Sequence, residues 1–517
     1  MAAYALGGIG GPLGQLGRGS GEPAARSLSG TSGAPTNAAS KPVATPLGSP
    51  PALRSSRSIG GPRPTLDELV TTYQYGEPPI PVHAGARPDE WQLSAPDLHA
   101  VAGYARPTSI QPGGSVELHV RSVGSAVRLD VFRVGIDDAR HVLTVASIPT
   151  SWQPDAAPDP VTGRVEERWP VSYRLAVPAA WPSGFYLVKA TLPDGRGSYI
   201  PFVVRAVAPA PLVVVVPILS YAAYNGFGGT DLYAWYHGPR QHAVEASLDR
   251  PFEHGYGAGM LFRLDFPLWV WLEDHGYSPA YVTDLDIAAD PTLVTRARTV
   301  VLSGHPEYWT RADRDALDAA QAAGVGILGM GANIGYWQVR LAPASDGTPD
   351  RTVVCWKSMT EDPIAASSPL DATGAFADKP IRRPVENLLG ERYGGVVRRA
   401  IPMVMGPGIT DLSPASGLRP GDRLPGLVGD EVDLASTDSG ALLLGATPVQ
   451  PEGRAAGIAG ASAWVTPSGA HVFDAGTFDW SWGLDPRYAA ALPGFPAASF
   501  SRLMADLLAW AGTSSPG

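Results

Sequence analysis

Three short segments of this chain carry side chains suited to proton transfer or hydrolysis. HPEYW (305–309) sets an imidazole, His305, two residues before a carboxylate, Glu307, with the phenol of Tyr308 beside it. SYAAYNGFGGTDLYAWYHG (220–238) supplies Tyr221, Tyr224 and Asn225, and GANIGYW (331–337) supplies Asn333. Imidazoles and carboxylates move protons near neutral pH, and a phenol beside them is a further donor or acceptor. Each residue also has a plainer reading. Glu307 fits the start of a helix, where acidic groups are favoured. His305 fits a histidine bonded to backbone, and Tyr224 a core tyrosine with its hydroxyl satisfied. Tyr308, Trp309, Tyr336 and Trp337 read as packing. The glycines of GFGG (226–229) and GMGAN (329–333) lack the Lys-Ser/Thr of a phosphate loop and the full dinucleotide fingerprint. No G-x-S-x-G elbow occurs. Cys355, in RTVVCWKS, reads as the interior of a strand, where a thiol is inert core. Lys357 is then expected on the same face as Cys355.

These segments need elements that bring them together. From 212 onward strand and helix alternate. LVVVVPIL (212–219) is a continuous apolar run, as in a strand buried on both faces. AYVTDLD, TVVLSG (299–304) and VGILGM (325–330) read as further strands. FPLWVWLEDHGY (266–277) reads as a helix, and Thr310 with Asp313 forms a capping box for a second. This is the pattern of an open, doubly wound parallel sheet. In such sheets ligands bind outside the carboxyl ends of the strands, which is where the three segments fall. Further strands are expected at ALLLGATP, ASAWVTP and AHVFDAG, and an amphipathic helix over 498–511. Before this domain, SVELHVRS, VRLDVFRVG, VSYRLAVP, GFYLVKATL and SYIPFVVRA alternate apolar and polar residues between turn signals. That pattern predicts an antiparallel, Ig-like β-sandwich over 95–206. VAPAP (207–211) links the two. Residues 1–64 are rich in Gly, Pro, Ala, Ser and Arg without periodicity and are expected to be disordered. Thr65 and Glu68 predict a short helix within 65–94.

Composition narrows the function classes. The chain has 517 residues, 44% hydrophobic and 17% charged, with a net charge of −10. That balance argues against nucleic acid as a partner, because a basic surface is needed to displace counterions. One cysteine excludes disulfide frameworks and thiolate metal clusters within a single chain. No run of 18 apolar residues exists, so no membrane span is expected, and the N-terminus lacks a clear signal peptide. A cytoplasmic location and a homo-oligomer are the corresponding expectations.

SYAAYNGFGG, ASLDRPF, SGHPEYWT, GANIGYWQVRL, VVCWKS, GLVGDEVD and VFDAGTFDWSWGLD, in that order, resemble the large-subunit catalytic domain of N,N-dimethylformamidase and its relatives. The resemblance covers about 212–512, and the preceding sandwich shares it. It implies a class I glutamine-amidotransferase-like (flavodoxin-like) α/β domain over 212–514 without the catalytic cysteine. It further implies a mononuclear Fe(III) held by two tyrosines and a glutamate. Glu307 matches the glutamate and Tyr224 one tyrosine. The second tyrosine of the family aligns near ASLDRPF (246–252), which has Leu248 and Asp249 instead. Tyr256, Tyr233 or Tyr221 are the substitutes, with Asp249 as a carboxylate alternative. By the same resemblance His305, Asn333, Lys357 and Glu431 carry catalysis. Phe478 and Trp480, with Trp482, wall the substrate site. Phenolate and carboxylate are hard oxygen donors that suit Fe(III). The expected reaction is hydrolysis of a small amide or formamide C–N bond, and a small partner subunit is implied. A non-catalytic sugar- or peptide-binding protein, and an iron enzyme of secondary metabolism with different chemistry, are the competing expectations.

Overall fold

Alternation in residues 95–206 resolves into two sheets in the computed structural model, which describes residues 90–236, 238–435 and 440–513. One sheet orders strands Ala95–Pro96, Arg196–Val204, Gly184–Thr191, Ala126–Gly135 and Asp138–Pro149, with Ser109–Ile110 also on Arg196–Val204. The other is Val101–Arg106, Ser115–Ser122 and Tyr173–Ala176. Their inward residues meet in one core: Val116, Leu118 and Val120 face Val127, Leu129, Val131, Val188 and Ile200. Period-two alternation places one apolar face of each sheet inward. The expectations for residues 1–64 and for the helix at Thr65 lie outside the described residues.

The second sheet system begins with β1 (Leu212–Val216), all five residues buried. β2 (Ala280–Thr283), β3 (Thr299–Leu302), β4 (Gly326–Gly329), β5 (Glu391–Val404), β6 (Arg423–Ala435), β7 (Leu442–Val449), β8 (Gly457–Val465) and β9 (His471–Asp474) follow. The sheet order is β2-β1-β3-β4-β9-β8-β6-β5, with β7 also on β8. Pairing is parallel from β2 through β9 and antiparallel beyond it. The sheet is therefore mixed, where the alternation of strand and helix predicts a parallel one. Strands adjacent in sequence can pair antiparallel without a crossover, as β5 with β6, β7 with β8 and β8 with β9 do here.

Helices α1 (Ile218–Ala223), α2 (Phe266–Asp274), α3 (Asp284–Ala289), α4 (Arg311–Ala322) and α5 (Ala497–Trp510) accompany the sheet. The Thr310–Asp313 capping box starts α4, and Thr283 with Asp286 forms a second at α3. Among the described residues no helix is long and apolar enough to cross a membrane.

The sandwich is seated on the α/β domain through buried contacts. Arg133 makes a bidentate pair with Glu273 of α2, at 2.6 and 2.9 Å. Phe185 packs on Trp269, and Trp91 on Phe262 and Phe266. Bidentate arginine pairs fix orientation as well as distance.

At the carboxyl ends of β3 and β4 the two following loops run against each other. Gly331 allows this: a Cβ there would sit 1.8 Å from the carbonyl oxygen of Gly304. Gly335 N–H donates to Pro306 O and Trp337 N–H to Glu307 O, zipping the loops together. The glycine in GMGAN thus serves close backbone approach.

Candidate functional site

Tyr224 ends α1, and the turn after it returns Tyr233 to the same place. Asp231 makes that turn, its carboxylate accepting the N–H groups of Tyr233 and Ala234 at 2.6 and 2.7 Å. Both phenols donate to one oxygen, Oε2 of Glu307, at 2.7 Å each. The two hydroxyl oxygens lie 2.9 Å apart and the rings stack. His305 Nε2 stands 3.0 Å from Tyr224 Oη and 3.2 Å from Glu307 Oε2. Its Nδ1–H donates to Ala332 O at 3.0 Å, which fixes the ring.

Asn333 carries the other half of the site. Its φ is +54°, the left-handed region that asparagine tolerates better than most side chains. Its Nδ2 donates to Glu307 Oε1 at 3.0 Å and to Glu431 Oε2 at 2.8 Å, so one amide joins both carboxylates. Glu431 also receives Tyr393 Oη at 3.2 Å and lies 3.8 Å from His305 Nε2. Lys357 reaches the cluster from a different strand system. The strand Thr352–Val354 ends before Cys355, and Lys357 has a φ of +53°. That turn breaks the strand alternation the sequence suggested. Lys357 Nζ sits 3.2 Å above the Tyr233 ring and 5.1 Å from that of Trp337, a cation–π contact.

Charge in this cluster is balanced in burial. Desolvation opposes a charged Glu307, yet the His305 hydrogen bond and the charges of His305 and Lys357 hold it below the usual carboxylate range. Burial alone would lower His305; its bond to Glu307 and the charges of Glu431 and Glu307 push it up to about 9. Burial brings Lys357 down to about 8 against the pull of Glu307. Glu431 is pushed up to about 8 by burial and by the Glu307 and Asp430 charges. Both phenols are held well above their ordinary value by burial and the charge of Glu307. A bound cation reverses that direction, because it favours the phenolate.

Behind the cluster lie further buried carboxylates, which set the pH dependence of folding. Burial, opposed by the Asn333 backbone N–H, pushes Asp433 up to about 7. Burial and the Asp433 charge push Glu391 up to about 8. Between the ordinary values, 3.8 for Asp433 and 4.5 for Glu391, and these raised values the folded chain binds more protons, so stability falls as pH rises. His305 acts in the same direction: its contribution is complete below 6.5 and is lost as pH rises through about 9. Lys357 acts oppositely above about 8. The melting temperature is expected to fall from about pH 5 to about pH 8. Glu391→Gln should flatten that decline, and an unchanged slope in this variant would remove Glu391 from the account.

Of the residues expected from sequence, Tyr224, His305, Glu307, Asn333, Lys357 and Glu431 converge. Phe478 lies against His305, ring centroids 4.3 Å apart. Trp480 does not join them; it is fully buried between Phe473 and Phe500. Among the alternatives for the second tyrosine, Tyr233 stands in the cluster. Tyr221 donates to the buried Asp265 at 2.5 Å, and Tyr256 lies in the turn His254–Gly257. Asp249 is bound instead to Arg351, at 2.7 and 3.0 Å. Tyr393 lies in none of the motifs quoted above, and Asp433, the last residue of GLVGDEVD, is given no role there. The β5–β6 register, which sets Tyr393 opposite Asp433, brings Tyr393 here, and Asp433 comes on the same strand as Glu431. Among the described residues no group of three or more His, Cys, Asp or Glu side chains is placed to hold a metal ion. The donors that converge here are two phenols and one carboxylate.

Fold and site together define an α/β domain behind a β-sandwich, with an oxygen-rich cluster at the carboxyl ends of parallel strands. The chain belongs to the N,N-dimethylformamidase beta subunit-like, C-terminal family, whose model matches residues 128–491. It is 29% identical to the N,N-dimethylformamidase beta subunit of Alcaligenes sp., over 34% of this chain and 28% of that one. It is 27% identical to the protein of the same name from Paracoccus aminophilus, with the same coverage. The match therefore spans little more than a quarter of these relatives' length. A solved cycloisomaltooligosaccharide glucanotransferase from Paenibacillus sp. aligns over 24% of this chain and 17% of that one, at 18% identity and a TM-score of 0.13, which carries no argument.

Proposed function

We propose that this chain is a hydrolase of a small amide or formamide C–N bond, using one Fe(III) held by Tyr224, Tyr233 and Glu307. The observation that carries this reading is the oxygen triangle. Tyr224 Oη, Tyr233 Oη and Glu307 Oε2 are separated by 2.7, 2.7 and 2.9 Å. Donors on one face of an octahedron with ~2.0 Å bonds stand ~2.8 Å apart. Three hard oxygens this close together would suit a hard trivalent ion. The family membership and the names of the relatives support the substrate class.

When bound, the metal would polarise the amide carbonyl and make water a nucleophile at neutral pH. The remaining work falls to the chain's own residues. Asn333 fixes Glu307 through Oε1, leaving Oε2 toward the phenols. Its own Oδ1 is buried without a hydrogen-bond partner, so it is free to accept a hydrogen from a ligand. Glu431, held by Asn333 Nδ2 and Tyr393 Oη and 3.8 Å from His305 Nε2, is placed to pass a proton to the departing amine nitrogen as the C–N bond breaks. The Lys357 ammonium stands beside the phenols, where it stabilises negative charge gathering on oxygen. Phe478 shields His305 from water. A small partner subunit is consistent with the beta-subunit names of the relatives.

The test is a ferric titration of the purified chain followed in the visible, where phenolate–iron charge transfer absorbs, together with hydrolysis of a panel of small amides. One tightly bound iron and amine release are the expected results. A chain that stays colourless and iron-free under metal-retaining conditions would overturn the metal reading. Iron uptake with no amide cleaved would favour different chemistry.

A further inference from the structure

We infer that Asp433 is a positioning residue for this site, holding the left-handed backbone of Asn333 so that its carboxamide spans Glu307 and Glu431. This deepens the reading above, resting on Asn333 serving that site. Three observations converge on it. The buried Asn333 N–H donates to both carboxylate oxygens of Asp433, at 3.0 Å each. A buried N–H without an acceptor is strongly disfavoured, so this contact decides where the peptide points. Asn333 is a non-glycine residue at φ +54°, a conformation that persists only where its surroundings hold it. Asp433 also stands two residues from Glu431 on β6, hence on the same face. One strand therefore grips Asn333 twice: at the backbone through Asp433 and at the side chain through Glu431. Asp433 N–H donates to Gly476 O at 3.0 Å, anchoring that strand. Without Asp433 the 332–333 peptide is free to leave the left-handed region, and the amide swings away from both glutamates.

The test compares Asp433→Ala, Asp433→Asn, Asn333→Gly and the double variant Asp433→Ala/Asn333→Gly, with Asp286→Asn, at the cap of α3, as a buried-carboxylate control. Hydrogen exchange of the 331–335 segment and Fe(III) affinity are the readouts. Asp433→Ala should speed exchange at Asn333 and weaken iron binding about tenfold, as loss of a group behind a ligand does. Asp433→Asn keeps one acceptor oxygen and should restore most of both. Glycine adopts the left-handed backbone unaided, so Asp433→Ala should add no further loss of affinity in the Asn333→Gly background. Asp286→Asn should leave both readouts as in the wild type. The inference is overturned if Asp433→Ala matches the wild type, if its loss is undiminished in the Asn333→Gly background, or if Asp286→Asn reproduces it. Should Asp433→Ala not fold, the exchange rate in the isosteric Asp433→Asn decides, with wild-type protection at Asn333 required. A wild type that binds no iron would sink the metal reading alone, because the exchange readout needs no metal.

Discussion

Glu307→Ala is expected to abolish Fe(III) uptake and to lower any amide hydrolysis by about a thousandfold or more, the scale of losing a group that acts on the reacting centre. Five groups converge on this carboxylate: Tyr224, Tyr233, His305 and Asn333 by hydrogen bonds, and Lys357 by charge. Removing it strips two phenols of their acceptor and two buried cations of their counter-charge. Leaving a buried charge uncompensated costs about 3–5 kcal/mol, so the alanine variant should also melt at lower temperature. His305, held at about 9 partly by Glu307, should then titrate at lower pH, which NMR of its ring would detect. Glu307→Gln preserves shape and removes charge, so it separates folding from binding. Undiminished iron occupancy in both variants would remove Glu307 from the ligand set, and with it the common centre of the proposal.

Tyr233→Phe is expected to weaken Fe(III) by about 10–100-fold or more and to diminish the visible absorption, while the melting temperature changes little. The ring stays, so the Lys357 ammonium keeps its cation–π partner 3.2 Å away. Only the oxygen 2.7 Å from Glu307 is lost. Tyr221→Phe provides the contrast. It removes a hydrogen bond to the buried Asp265 and should cost about 1–3 kcal/mol in stability, yet leave iron affinity untouched. If Tyr221→Phe erases the absorption and Tyr233→Phe preserves it, the assignment of the second phenol made from the geometry is wrong.

How much of this is legible in the amino-acid sequence follows from the range of the interactions involved. Periodicity is a local property, so the buried run of β1, the alternating strands of the sandwich and the capping box at Thr310 could be read from neighbouring residues. The rule that ligands gather beyond parallel strand ends then sufficed to bring Tyr224, His305, Glu307 and Asn333 together. Trp480 shows the limit of motif reading. It sits two residues from Phe478, yet one ring meets His305 and the other is sealed in the core, because Phe478–Leu484 is a tight 3₁₀ helix that turns them apart. Lys357 shows another: a single left-handed residue after Cys355 overrides the strand pattern that local spacing suggests.

By itself, then, the amino-acid sequence determined the kinds of element, the order of the segments that bear chemistry, and the family to which they belong. Tertiary structure alone decided which tyrosine joins Tyr224, that Tyr393 and Asp433 stand behind Glu431 and Asn333, and that the sheet turns antiparallel after β9. The physical reason is that hydrogen bonds between residues 74 or 100 positions apart, such as Tyr233 to Glu307 and Asn333 to Asp433, depend on strand register and loop path. Neither leaves a mark in the spacing of nearby residues.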